Sequence, residues 1–209
     1  MNERAYLSAA GRDALLFLYD PLTRLAGAKK IFRTLIDDAA VQPGQTVLDV
    51  GCGTGTLAVL IKRLHPAVEV MGLDPDPKAL ARAAAKADRA RVAVRFDRGF
   101  ADALEYPDAT FDRVFSTMMF HHIRRDDRPR VLAEIRRVLK PGGSLEFMDI
   151  AGTGGHSLLA RWLHGRPAVR VPGDDRMLRQ LNEAGLADAR KVREQGTVFG
   201  PIAFYRARA

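Results

Sequence analysis

The chain has 209 residues, 47% of them hydrophobic and 28% charged, with a net charge of +8. That length suits one domain over 1–209 with a full core, and no run approaches the roughly twenty apolar residues that span a bilayer. The single cysteine, Cys52, excludes an internal disulfide. Glu3 and Asp13 interrupt the apolar N-terminus, which therefore has no signal-peptide core, and a cytoplasmic location is expected.

In chain order, residues 5–40 read as helical apart from a break at Pro21, with Leu15, Leu16, Leu18, Ile31, Leu35 and Ile36 at helical spacing. These helices precede the first strand, so residues 1–40 are expected to lie across the carboxyl edge of a sheet as a lid. Val47, Leu48 and Val50 make a short buried strand over 46–50, interrupted by Asp49. Gly51, Gly53 and Gly55 form the turn after it, and a helix over 56–64 follows with Thr54 or Thr56 as its N-cap. Val68, Val70, Met71 and Leu73 make the next strand, closed by Asp74. A helix follows over 77–88, and Asp74 either serves a ligand or caps this helix.

Further strands are expected near 92–96, 111–116 and 144–149, with a helix over 127–139 between the last two. This alternation predicts an α/β fold, a doubly wound and mostly parallel sheet. Residues 41–150 would then be the ligand-binding core. Gly152, Gly154 and Gly155 break the rhythm, and the amphipathic stretch from His156 to His164 reads as a lid insertion over 151–172, either a second wall of the site or a surface helix. Residues 173–209 carry a helix over 175–184, stopped by Gly185, and two strands near 188–193 and 198–206.

Basic residues crowd one helix, as Arg124, Arg125, Arg128, Arg130, Arg136 and Arg137, but Asp126, Asp127 and Glu134 interrupt them. With no long basic run and no aromatic–basic stacking motif, this is a solvated face, and nucleic acid is not an expected partner. His156 and His164 lack partnered cysteine or acid spacing, so no metal site is expected.

An apolar strand, a glycine turn and an acid ending the next strand together suit a nucleoside at the carboxyl edge. A dinucleotide site has G-x-G-x-x-G and receives a pyrophosphate at the helix N-terminus. Here the order is G-x-G-x-G with Asp49 in front. A carboxylate repels pyrophosphate and suits an ammonium, so the ligand implied is an adenosine with a cationic tail, S-adenosylmethionine.

These residues resemble the class I S-adenosylmethionine-dependent methyltransferases. The resemblance rests on Asp49 to Gly55, on Asp74, on Phe111-Asp112-Arg113-Val114-Phe115-Ser116, on His121-His122-Ile123, and on Val138 to Leu145. Tyr19-Asp20-Pro21 through Gly27 is similar to the segment that leads into the ubiquinone and menaquinone C-methyltransferases, with Thr23 where that group has Asn. The resemblance implies a Rossmann-like sheet of seven strands with one antiparallel strand near the C-terminus. It also implies a methyl transfer by direct displacement to a small acceptor, apolar or aromatic given the two apolar lids. An RNA or protein acceptor, or a silent cofactor-binding protein, are the competing readings.

The cofactor residues follow. Asp49 would meet the methionine ammonium, directly or through water. Gly51, Gly53 and Gly55 would let the backbone approach, with Cys52 a small residue facing the ligand. Asp74, with Pro75 beside it, would hold the ribose. The family often has Gly-Asp-Ala at the adenine, where this chain has Gly99-Phe100-Ala101-Asp102. Either Phe100 packs on adenine and Asp102 takes the polar contact, or backbone alone does, with Ala101 offering its N–H. Thr117 and Met118 would border the sulfonium. His121 and His122 are the candidate bases, each of which either takes a proton or orders its loop. Asp149 is a third candidate, and Tyr19 would close over the methyl.

Overall fold

The computed structural model describes residues 28–151, 174–197 and 200–209. Tyr19, the rest of the lid read over 1–27 and the insertion read over 152–172 lie outside the described residues.

Helix α1 (Ala28–Ala39) leads into β1 (Thr46–Val50), α2 (Thr56–Leu64), β2 (Glu69–Asp74), α3 (Pro77–Ala90) and β3 (Arg95–Arg98). Then come β4 (Phe111–Thr117), a 3-10 turn (Phe120–His122), α4 (Arg128–Val138) and β5 (Leu139–Ile150). The chain ends with α5 (Asp174–Glu183), β6 (Ala187–Thr197) and β7 (Gly200–Arg208).

The strands form one seven-stranded sheet in the order β3-β2-β1-β4-β5-β7-β6. The pairs β1–β2, β2–β3, β1–β4 and β4–β5 are parallel, and β7 runs antiparallel to both β5 and β6. The single antiparallel strand matches the expectation. Strand order reverses between β1 and β4, so the crevice of this sheet opens beyond the carboxyl ends of those two strands.

Period-two alternation sends Val47 to one face and Leu48 to the other. On the first face Leu35 and Ile36 of α1 and Ile61 of α2 pack with Val47, Phe115 and Phe204. On the second, Leu132 and Ile135 of α4 and Leu181 of α5 pack with Leu48 and Phe147. The lid reading over 28–39 is corrected here. Leu35, Ile36 and Ala39 are buried in the face of the sheet, and Asp38 accepts from Arg193 of β6, so α1 belongs to the core layer rather than the edge.

Two local readings also change. The N-cap of α2 is Gly55, at φ 72, with no side-chain cap bond. Thr54 and Thr56 do not cap, because both hydroxyls accept from Lys86 Nζ, at 3.0 and 2.6 Å. Strand β3 begins at Arg95 rather than near 92, because α3 runs to Ala90 and ends on Arg91 in the left-handed region at φ 53. The chain then needs residues 92–94 to return to the sheet.

Candidate functional site

Asp49 lies near the carboxyl end of β1, 1% exposed. Neither of its oxygens has a hydrogen-bond partner among the described residues. Burial pushes its carboxyl up to about 7, the nearby Asp74 charge adds to this, and the Ala58 amide gives slight relief. A buried carboxyl left without partners is costly unless something else is meant to meet it.

The sign of its pH effect follows. The folded chain holds the Asp49 proton to higher pH than the unfolded chain, so this stability is full below about pH 4 and is lost as pH rises through 7. At 1.36 kcal/mol per unit, the loss is about 4 kcal/mol at most. Asp49→Asn cannot ionise, so its melting temperature is expected to exceed the native one at pH 8 and to match it near pH 4. Thermal unfolding across that range checks this, and parallel pH profiles would contradict it.

The turn after β1 is held from below. Gly51 and Cys52 amides donate to Leu73 O at 2.8 and 3.0 Å, and the Gly55 amide to Cys52 O at 2.9 Å. The Gly53 amide donates to Asp74 Oδ2 at 2.9 Å, and the Asp76 amide to Asp74 Oδ1 at 2.9 Å. Four amides of the turn are thus committed within the protein, which leaves them unable to cradle a pyrophosphate. Each Asp74 oxygen keeps a lone pair for a ligand hydroxyl. Burial raises the Asp74 carboxyl, and the two amides oppose that. Asp74 does not cap α3. Asp76 does, accepting from the Lys78 amide at 2.9 Å.

Two glycines of the turn differ in their surroundings. Gly51, at φ 73, has Met119 where a Cβ would stand, so no side chain fits. Gly53, at φ 53, faces space with no atom within 4 Å of that position. The residue covering the turn is therefore Met119, which the sequence reading did not single out. Met118 is half-buried against the opposite cluster and sits in the left-handed region at φ 53. Cys52 is buried, and a Cβ on Gly72 would stand 2.9 Å from its Sγ. Its thiol is packed against β2, and burial pushes its pKa well up, which leaves it inert as a nucleophile.

After β2, Pro75 O accepts from Arg98 Nε at 3.3 Å. Phe100 bridges to Ala103, and Ala101 packs against the second face's core. Phe100, Ala101 and Asp102 are all half-buried in this short turn after β3.

At the end of β4, Thr117 pairs with Met148 of β5, and the 3-10 turn that follows carries His121 and His122. Asp149 of β5 meets His121 twice. His121 Nδ1 is 2.6 Å from Asp149 Oδ1, and the His121 amide donates to Oδ2 at 2.9 Å. The Ile150 amide donates to Oδ1 at 2.7 Å. A carboxylate only accepts, so Nδ1 carries the hydrogen of this bond, which in the neutral ring leaves the lone pair on Nε2. The His122 ring lies against that of His121, centroids 4.0 Å apart. Nearby, Ser116 Oγ is buried with no partner among the described residues. Sequence reading named both histidines and Asp149 separately; only the β4–β5 register joins His121 to Asp149.

Residues 47–143 match the methyltransferase domain family. Over these residues the chain is similar to methyltransferases. It is 39% identical over 134 residues to the demethylmenaquinone methyltransferase of Thermus thermophilus, covering 63% of this chain and 60% of that one. It is 36% identical over 153 residues to the 27-O-demethylrifamycin SV methyltransferase of Amycolatopsis mediterranei, covering 70% and 55%. The chain thus spans about half to three-fifths of the length of these curated relatives. In fold it is similar to Haemonchus contortus phosphoethanolamine N-methyltransferase 2, solved in complex with S-adenosyl-L-methionine, at TM-score 0.78 and 17% identity over 96% of this chain and 58% of that one. No helix among the described residues is long and apolar enough to cross a membrane.

Proposed function

We propose that the protein transfers a methyl group from S-adenosylmethionine to a small-molecule acceptor that loses a proton as it reacts. The observation that carries this is the pairing of His121 with Asp149 at the same sheet edge that holds the turn between Asp49 and Asp74. Relatives named for methylation of demethylmenaquinone and of a demethylrifamycin support a small acceptor with an ionisable carbon or oxygen.

The cofactor fits the residues present. Asp49 has two unmatched oxygens, suited to an ammonium. Asp74 would take the ribose hydroxyls, with Pro75 alongside. Gly53 opens on free space where a ligand can approach the backbone. Phe100, Ala101 and Asp102 would border adenine, and Thr117 with Met119 the methyl end. When bound, S-adenosylmethionine supplies an already activated methyl group, so the protein has only to align the acceptor, exclude water and receive its proton. His121 Nε2 is the receiving atom. His122 backs the His121 ring, and Asp149 fixes its tautomer.

An ammonium beside Asp49 favours the carboxylate, so cofactor affinity is expected to rise as pH goes from about 5.5 to 7.5. The test is incubation with methyl-labelled S-adenosylmethionine and a panel of small phenols, enols and hydroxy acids. Label in an acceptor supports the reading. Tight cofactor binding with no transfer to any small acceptor, but transfer to RNA or protein, would overturn it.

A further inference from the structure

We propose that Lys86 is a positioning residue of the turn after β1: its ammonium bridges Thr54 and Thr56, on either side of Gly55, and so fixes in advance the backbone that receives the cofactor. The inference rests on that turn binding S-adenosylmethionine.

Lys86 lies in the last third of α3 and is half-buried. Its Nζ turns inward, donating to Thr54 Oγ1 at 3.0 Å and to Thr56 Oγ1 at 2.6 Å. A lysine on a helix surface ordinarily carries its ammonium out to water, because that group is strongly hydrated and its stem is flexible. Here the ammonium exchanges part of its water for two hydroxyls 32 and 30 residues earlier in the chain. Helix α2 gains nothing electrostatic from this. Thr56 is its first residue, and a cation is disfavoured at a helix N-terminus. What the contact serves is the turn.

The same face of α3 meets the turn a second time. Ala83, three residues before Lys86 and so on its side of the helix, is fully buried. A Cβ on Gly55 would stand 2.7 Å from the Ala83 Cβ. Helix α3 is also tied to the turn at its start. The amide of its cap, Asp76, donates to Asp74 Oδ1, and the Gly53 amide donates to Asp74 Oδ2, each at 2.9 Å. The path from Asp74 through α3 to Lys86, across to Thr54 and back through Gly53 to Asp74 is therefore a closed ring. Within it stands Gly53, and Gly55 lies between the two bridged threonines, both glycines at positive φ.

Glycine makes such a turn possible and also gives it many conformations when nothing holds it. A turn that its ligand must order costs affinity, and a turn already ordered does not. Lys86 closes the ring. Its removal opens the ring at the threonines and leaves Asp49 and Asp74 in place.

The test compares the native protein with Lys86→Met, which keeps most of the stem and removes the ammonium, and with T54V/T56V, which keeps the shape and removes both acceptors. S-adenosylhomocysteine affinity is expected to fall about tenfold in K86M, the scale of one lost hydrogen bond to a charged group. T54V/T56V should show a similar loss, and adding K86M to it should cost little more, because all three substitutions act through one contact. In the ligand-free protein, hydrogen exchange at the Gly53 and Gly55 amides should speed up in K86M while exchange in β4 stays native. A merely structural role would lower the melting temperature alone. Native affinity in K86M, native exchange at those two amides, or additive losses in the triple variant would overturn the proposal. If K86M does not fold, T54V/T56V is read by the same affinity and exchange measurements. If the native protein binds no S-adenosylhomocysteine, the cofactor reading fails, and exchange at Gly53 and Gly55 still decides whether Lys86 fixes the turn.

Discussion

His121→Asn lowers methyl transfer by about 10²- to 10⁴-fold at saturating cofactor, the usual range for a lost general base, and leaves S-adenosylhomocysteine affinity unchanged. The reason is geometric. His121 Nδ1 is tied to Asp149 at 2.6 Å, the His121 amide is tied to the same carboxylate, and the side chain is 6% exposed. The ring cannot turn without breaking a buried charge-assisted bond, so only Nε2 is left to serve an acceptor. Asp149→Asn should lose rate as well, because an amide can hold the other tautomer. His122→Asn should retain most of the rate, since the His122 ring meets that of His121 at a tilt, centroids 4.0 Å apart, while His121 carries the bond to Asp149. The check is single-turnover kinetics with an acceptor found by the labelled-methyl panel. Equal loss at His121 and His122, or no loss at either, would remove His121 from the base role.

Asp74→Ala weakens cofactor binding by about 100-fold or more. Hydrogen bonds to a charged group contribute roughly 1.5–3 kcal/mol each, and the adenosine ribose offers two hydroxyls. The same carboxylate also holds the Gly53 and Asp76 amides, each at 2.9 Å. Its loss therefore frees the turn as well as the ribose site. The two effects separate in measurement: cofactor affinity comes from titration, and loss of the amide bonds from the melting temperature without ligand. Asp74→Asn keeps one acceptor oxygen and should fall between native and Ala in both. A variant that melts lower but binds the cofactor as well as the native protein would confine Asp74 to a structural role.

Much of this was legible in the sequence, for identifiable reasons. Buried parallel strands show as apolar runs, and Val47 to Val50 and Val68 to Leu73 fall where the sheet has β1 and β2. Asp49 and Asp74 stood out because each puts a carboxylate at or near the carboxyl end of an apolar strand, next to the glycine turn. Other features depended on contacts between distant elements. Thr54 and Thr56 look like N-caps until Lys86, from α3, takes their hydroxyls. Leu35 and Ile36 read equally well as lid or core, and only packing against Phe115 and Phe204 decides. Met119, rather than Met118, covers Gly51 because Met118 adopts a left-handed backbone that turns its neighbour over the turn. The His121–Asp149 pair needs the β4–β5 register, and Arg128 read as one more arginine on a solvated face until burial set it apart.

Calorimetric titration of the native protein with S-adenosylhomocysteine at pH 7.5, beside the same titration with NAD, tests the central claim most directly. The account predicts saturable one-site binding of S-adenosylhomocysteine at micromolar concentrations and none of NAD, because Asp49 seeks an ammonium and the amides of the turn are already spent. Binding of NAD, or no saturation by S-adenosylhomocysteine even at millimolar concentrations, would contradict it.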